Sequence, residues 1–275
     1  MTSTAITPEM DVLKSRLRDT WSDGDFGEIA KALEAGAEDF VLRLDLKPDM
    51  RVLDVACGTG NLAIPAARTG ANVAGVDIAP NLIATAIERA RDTNVECRFE
   101  VGDAEDLPYP TESFDVVMTM FGAMFAPRPA VTAVELIRVC KPGGLIVMAN
   151  WTPEGPTGQM FRISAKHVPP PPGMPSPLLW GTEDVVRERF AREEIGDLQM
   201  HRRRIIFAFP LSPIEVVEHF REFFGPTKKA FDSLDAQGKE ALRHDLEHFW
   251  MENNIATDDS TLVESEYLEV RAIRA

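Results

Sequence analysis

Two periodicities alternate along this 275-residue chain, and the points where one gives way to the other divide it into segments. Between residues 8 and 44 apolar side chains recur at helical spacing. Leu13, Leu17 and Trp21 form one stripe, and Ile29, Leu33, Ala37, Phe40 and Val41 form a second after the break from Gly24 to Gly27. This pattern predicts a two-helix N-terminal cap over residues 1–46. The period then shortens. Residues 51–56 make a β-rich apolar run ending in Cys57-Gly58-Thr59-Gly60, followed by a helical stretch at 62–68 and a second strand at 72–77. The step repeats with a helix at 80–91 and a strand at 96–101. A strand at 114–120, a helix at 131–140 closed by Pro142-Gly143-Gly144, and a strand at 145–151 complete the run. Such alternation implies a parallel sheet with helices on both faces, because each parallel step needs a crossover. Ligands bind sheets of this kind at the carboxyl ends of the strands.

Beyond Trp151 the pattern changes. Prolines accumulate over 152–181, including the consecutive Pro169 to Pro172, and predict an extended, polyproline-like lid or linker. A helix capped by Thr182 is expected at 182–190, a strand at 198–209, and a helix from Ser212 to Phe224. A further helix at 237–253 precedes a closing strand at 262–273. We therefore expect one domain over 1–275, made of the cap, an α/β core at 47–151, the lid at 152–181 and a C-terminal part of the sheet at 182–275 with a helical insertion near 212–255.

Charge narrows the partners. The formal net charge is -15, so the average surface repels nucleic acid, whose binders supply Lys and Arg to phosphates. The basic run His201 to Arg204 and the pair Lys228-Lys229 read as solvated faces. Cys57, Cys97 and Cys140 are odd in number and widely spaced, which offers neither a disulfide framework nor a metal knuckle and fits a reducing, cytoplasmic setting. His244 and His248 have metal-ligand spacing, but Leu242, Leu246, Phe249 and Trp250 centre the apolar face of that helix on its other side, so both histidines are expected in solvent and no metal is expected. Residues 1–10 lack a basic region followed by an apolar stretch and no apolar run approaches the ~18 residues of a membrane span, so neither a leader nor an anchor is expected. Homo-oligomerisation stays open.

The chemistry concentrates where strands end. The turn Gly58-Thr59-Gly60 between a strand and a helix lets a ligand approach the backbone, and the helix start offers N–H groups to a carboxylate or phosphate. Gly58, Gly60 and Ala63 also satisfy a dinucleotide fingerprint, so the turn alone leaves an NAD-type oxidoreductase open. Asp77 ends the second strand, where a carboxylate accepts both hydroxyls of a ribose. Asp103 ends the third, placed to accept from an exocyclic amine such as that of adenine. With Asp54 in the first strand, these acids surround a cationic, amine-bearing, ribose-containing ligand and repel phosphate.

The run VLDVACGTGNLAIPAA resembles the first motif of the class I S-adenosylmethionine-dependent methyltransferases. VAGVDIAPNLIATA, VGDAEDLPYPTESFDVVMTM and LIRVCKPGGLIVMANW resemble the successive motifs in their usual order, over roughly Arg51 to Trp151. The set is similar to the group that includes the ubiquinone and menaquinone C-methyltransferases. The resemblance implies a Rossmann-like three-layer αβα sandwich whose mostly parallel seven-stranded sheet has an antiparallel last strand. It implies S-adenosylmethionine as cofactor, with Gly58 and Gly60 at the methionine end beside Ala56 and Thr59, Asp54 at the amino group, Asp77 and Ile78 at the ribose, Asp103 and Ala104 at adenine, and Met120-Phe121 bordering the methyl group.

Methyl transfer is an in-line displacement at an activated carbon, so alignment and exclusion of water matter most and no catalytic side chain is obligatory. If the acceptor is a phenol or amine a base helps, and His167 in the lid is the candidate, beside a purely structural reading. Trp21 reads equally as a residue closing over the cofactor and as a packing anchor. Phe207, Phe209, Phe220, Phe223, Phe224 and Trp250, with Met160 and Trp180, are mostly core, with a few available to wall an apolar acceptor pocket. The expected acceptor is a small neutral, cationic or hydrophobic molecule. A non-catalytic binding protein on the same fold is the alternative outside enzymology.

Overall fold

The computed structural model describes residues 7–192 and 194–275. Its centre is a seven-stranded sheet of order β3-β2-β1-β4-β5-β7-β6. The strands are β1 (Arg51–Val55), β2 (Asn72–Asp77), β3 (Cys97–Val101), β4 (Phe114–Met120), β5 (Cys140–Trp151), β6 (Ile195–Phe209) and β7 (Thr261–Arg274). Pairings from β3 through β5 are parallel, and β7 runs antiparallel to both β5 and β6. This is the Rossmann-like sheet with an antiparallel last strand that the motif order implies. β1 and β2 are buried except at their first residues, as expected of strands covered on both faces. From β1 the chain builds outward to β2 and β3, then crosses back to β4 on the other side, so the order reverses between β1 and β4. A crevice opens at such a reversal.

The helices α4 (Ala63–Ala67), α5 (Pro80–Asp92) and α6 (Pro129–Val139) fall where the periodicity places them. The cap is more segmented than two helices. α1 (Pro8–Ser22) is followed by α2 (Phe26–Ala30), a 3-10 turn at Lys31–Leu33 and α3 (Glu34–Leu42). Asp25 ends the break by accepting from the Gly27 N–H at 2.9 Å, which caps α2.

The segment 152–181 departs from the extended structure expected of it. Pro156–His167 is a twelve-residue helix, α7. Its proline sits in the first turn, where the missing N–H has no helical partner to lose, and none follows until the run after His167. Overall proline content concealed this placement. Pro177–Gly181 is a 3-10 turn that buries Trp180. β5 begins earlier than expected and continues through Pro142-Gly143-Gly144.

Further on, α8 (Glu183–Arg189) starts after Thr182, whose side chain makes no capping bond. α9 (Pro213–Phe223) has the full reciprocal cap between Ser212 and Glu215. The helix α10 (Gly225–Ser233) was not anticipated, whereas α11 (Ala236–Asn253) matches its periodicity. β6 and β7 stay paired to Phe209 and Thr261, beyond the last β5 pair at Trp151 and Tyr267. α11 buries Leu242, Leu246, Phe249 and Trp250, with Trp250 set against Phe207, Phe209 and Phe220 of the neighbouring elements. His244 and His248 are exposed, as expected. Among the described residues no helix is long and apolar enough to cross a membrane.

Candidate functional site

A cleft lies over the carboxyl ends of β1, β2 and β4, beneath α1 and α2. Its floor is the loop after β1. Ala56 and Gly58 take left-handed backbone conformations, with φ of 56° and 53°. A Cβ on Gly122, just past β4, would meet the Ala56 carbonyl oxygen at 2.5 Å, so this glycine lets the β4 loop lie directly on the β1 loop. Phe121 between them is also left-handed, at φ 57°, a strained state for a bulky residue. It is held by stacking on Trp151 with ring centroids 3.5 Å apart.

The carboxylates do the local building. Asp77 is 7% exposed and accepts from the backbone N–H of Gly58 at 2.8 Å and of Ala79 at 2.9 Å, which fixes the glycine turn to the end of β2. Asp54 is 1% exposed and accepts from the Ala63 N–H at the start of α4 at 3.0 Å. Gly60 donates to the Cys57 carbonyl at 2.9 Å. Three backbone amides of this turn, those of Gly58, Gly60 and Ala63, are thus engaged within the protein, two of them by carboxylates.

Burial pushes the pKa of Asp54 well above the usual carboxylate range; the Ala63 N–H opposes this and the neighbouring Asp77 adds to it. Burial raises Asp77 as well, against the pull of the Ala79, Gly58 and Ile78 amides. Two desolvated acids facing one cleft call for a cation, which is the charge of the sulfonium and amino groups of S-adenosylmethionine. The donor set thus fits that group.

Asp103, after β3, completes the carboxylate row. Its Oδ1 accepts from the Glu105 N–H at 2.9 Å, and its Oδ2 lies 2.6 Å from Lys14 Nζ of α1. Ile78, Ala104 and Met120 line the same cleft, as does Trp21, whose ring meets Phe125 at 5.0 Å and Phe224 at 5.7 Å. Nine of the twelve sequence-predicted site residues are thereby brought together.

Three are not brought to the cleft wall. Thr59 is fully buried behind the turn, where its carbonyl and hydroxyl accept from Arg89 at 2.8 and 2.9 Å. Gly60 faces Phe99 and Ile64. His167 ends α7 away from the cleft, with Nε2 2.8 Å from Asp245 Oδ2 of α11. The C-terminal aromatics Phe207, Phe209, Phe220 and Trp250 pack on one another as core, and Met160 and Trp180 are buried too. Sequence reasoning missed Lys14, Asn61 and Phe125, which line the cleft. Lys14 had a legible signal, since it shares the helical stripe of Leu17 and Trp21 at spacings that put all three on one face.

Comparison with known proteins places the chain in a family. Residues 53–148 match the model of a methyltransferase domain family. An uncharacterised protein of Mycobacterium tuberculosis is 36% identical over 236 residues, covering 85% of this chain and 86% of its own length. The 2-methyl-6-phytyl-1,4-hydroquinone methyltransferase of Synechocystis is 43% identical over 107 residues, 38% of this chain and 33% of that protein. Among solved structures, a putative methyltransferase from Bacillus halodurans superposes with a TM-score of 0.55 at 20% identity, covering 86% of this chain and 97% of that one. The chain belongs to the class I S-adenosylmethionine-dependent methyltransferases, within the group defined by the type 11 methyltransferase domain.

Proposed function

We propose that this chain methylates a small hydrophobic acceptor that enters the cleft beside the N-terminal cap. The observation that carries this reading is the division of the cleft wall by chemistry. Carboxylates stand at the strand ends, while the cap and the β4 loop contribute Leu17, Trp21, Phe26, Leu33 and Phe125. A wall of that kind recovers free energy from apolar surface and offers nothing to a phosphorylated acceptor. The hydroquinone methyltransferase activity in the name of the Synechocystis relative agrees with an acceptor of this character.

In this reading Asp77 and Ile78 hold the ribose, Asp103 and Ala104 read the adenine, Asp54 faces the methionine amino group, and Gly58 with Ala56 lines the methionine end. Met120 and Phe121 border the transferred methyl group. Bound S-adenosylmethionine supplies a methyl carbon already activated by its sulfonium. The protein's share is to align the acceptor with that carbon and to exclude water, a contribution of about 7–11 kcal/mol in favourable cases. Trp21, Phe26 and Phe125 do the excluding.

No protein base is required in this mechanism. Among the described residues the ionisable side chains on the cleft wall are Lys14, Asp54, Cys57, Asp77 and Asp103, all at the cofactor end or paired there. His167 stays with Asp245. The acceptor is accordingly one that arrives with its own nucleophile, such as an acidic phenol, a thiol or a carbon activated by a ring hydroxyl.

The test is a panel of acceptors, with S-adenosylhomocysteine formation measured and products identified by mass spectrometry. Turnover with apolar phenols, thiols or hydroquinones and none with phosphorylated or polyanionic acceptors is expected. Turnover confined to nucleic acid, protein or phosphorylated compounds would overturn the proposal.

A further inference from the structure

Lys14 is out of place by charge. It lines a cleft furnished with carboxylates for a cationic cofactor, yet its own side chain is only 8% exposed. Its partners resolve the conflict. Nζ lies 2.6 Å from Asp103 Oδ2 and 2.6 Å from Glu105 Oε2, so one ammonium joins two carboxylates from residues two apart in sequence. Glu105 has no side-chain exposure and also pairs with Arg128 Nε at 2.6 Å. Two cations and two carboxylates thus meet beside the end of β3.

We infer that Lys14 is a positioning residue for cofactor recognition: it fixes the Asp103 carboxylate so that this group can select the exocyclic amine of adenine. The inference rests on the S-adenosylmethionine reading of the cleft given above. Each carboxylate oxygen has two acceptor directions. Lys14 takes one on Oδ2 and the Glu105 N–H takes one on Oδ1, which sets the plane of the group and leaves its remaining directions for a donor in the cleft. Without the ammonium, Asp103 would be repelled by the buried Glu105. Asp103 is also the more exposed of the two, with a side chain 27% open to solvent, so it would turn outward.

The same contact secures the helix above the cleft. α1 is strapped at its far end by Asp23, which pairs with Lys228 at 3.1 Å and with Lys229, and by the close backbone approach of Gly225 to Thr20. Lys14 fastens its middle to the loop after β3. Leu17 and Trp21 lie on the same face of α1, and the straps at Asp23 and Thr20 keep these two side chains over the cleft independently of Lys14. Cofactor affinity and selectivity should therefore respond to Lys14, while the methyl-transfer step should not.

The experiment compares S-adenosylhomocysteine with S-inosylhomocysteine, which carries a carbonyl where adenine has its amine, by calorimetry on the wild type, Lys14→Met, Lys14→Gln and Asp103→Asn. Wild type should prefer the adenine compound. Lys14→Met, which keeps the length and removes the charge, should weaken S-adenosylhomocysteine by about tenfold, the scale of one charge-assisted hydrogen bond, while barely changing the inosine compound. Asp103→Asn should lose the same preference. In turnover assays Lys14→Met should raise KM for S-adenosylmethionine with little change in kcat. Lys14→Gln, which keeps a donor without the charge, gives the same readout if the methionine variant does not fold. An unchanged preference, or an equal loss for both compounds, would overturn the role of Lys14. Failure of the wild type to bind S-adenosylhomocysteine would instead count against the cofactor reading itself.

Discussion

Asp77→Asn separates the loop contacts of this carboxylate from the ribose role proposed for it. In the wild type both oxygens accept buried backbone N–H groups, from Gly58 and Ala79. The carboxamide keeps one acceptor and turns a donor towards the other N–H. A buried donor left unpaired costs about 1–3 kcal/mol. Removing a buried charge offsets part of this, since burial already makes the ionised Asp77 unfavourable. The expected net loss is about 1 kcal/mol, a fall in Tm of about 2–4 °C for a chain of this size. The effect on binding should be larger. On the proposed ribose role, replacing a charged acceptor of the hydroxyls by a neutral one removes about 1.5–3 kcal/mol, or roughly 10- to 100-fold in Kd for S-adenosylhomocysteine. Calorimetry and thermal unfolding on the same preparation read both quantities. A folded variant with unchanged affinity would refute the ribose role, and a variant that loses stability and affinity in proportion would reduce Asp77 to a loop brace.

Asp54 and Asp77 bind protons more tightly in the folded protein than in the unfolded chain, so their contribution to stability is present below the unfolded carboxylate pKa of about 3.9 and is lost as pH rises through their raised folded values. Cationic S-adenosylmethionine favours the ionised forms, and the gain in Tm that it confers should therefore grow from acid to neutral pH; a gain independent of pH would contradict the assignment. Gly122→Ala places a Cβ 2.5 Å from the Ala56 carbonyl and 2.7 Å from its Cβ, and should cost about 1–3 kcal/mol in denaturant unfolding together with a clear loss of cofactor affinity. An alanine accepted without effect would mean that the β1 and β4 loops need not touch. His167→Ala removes the tie to Asp245 and should lower stability by about 1 kcal/mol while leaving kcat nearly intact; a collapse of kcat with normal stability would restore the histidine as a base.

The parallel core was legible because its strands are continuous apolar runs bounded by turn residues, and β2 and β4 fall on the expected residues. The carboxylates were legible for the same reason, since a strand end fixes where an acid points. The cap and lid were harder. Proline content suggested an extended lid, yet the decisive fact was position: Pro156 opens α7, and the consecutive prolines come only after it ends. Thr59 and Gly60 belong to the motif, but a turn has two sides, and hydrogen bonding to Arg89 and packing on Phe99 put them on the far one. His167 was chosen for its place in sequence, whereas its surroundings come from α11, 78 residues away. Lys14 shows the converse, a charge on an apolar stripe whose partners only the fold supplies.

The most direct test of the central claim is a crystal structure of this chain with S-adenosylhomocysteine. The ribose hydroxyls are expected on Asp77, the adenine amine on Asp103, and the sulfur towards Met120 and Phe121 beneath Trp21. A ligand bound elsewhere, or a ribose turned away from Asp77 in an otherwise unchanged cleft, would contradict it.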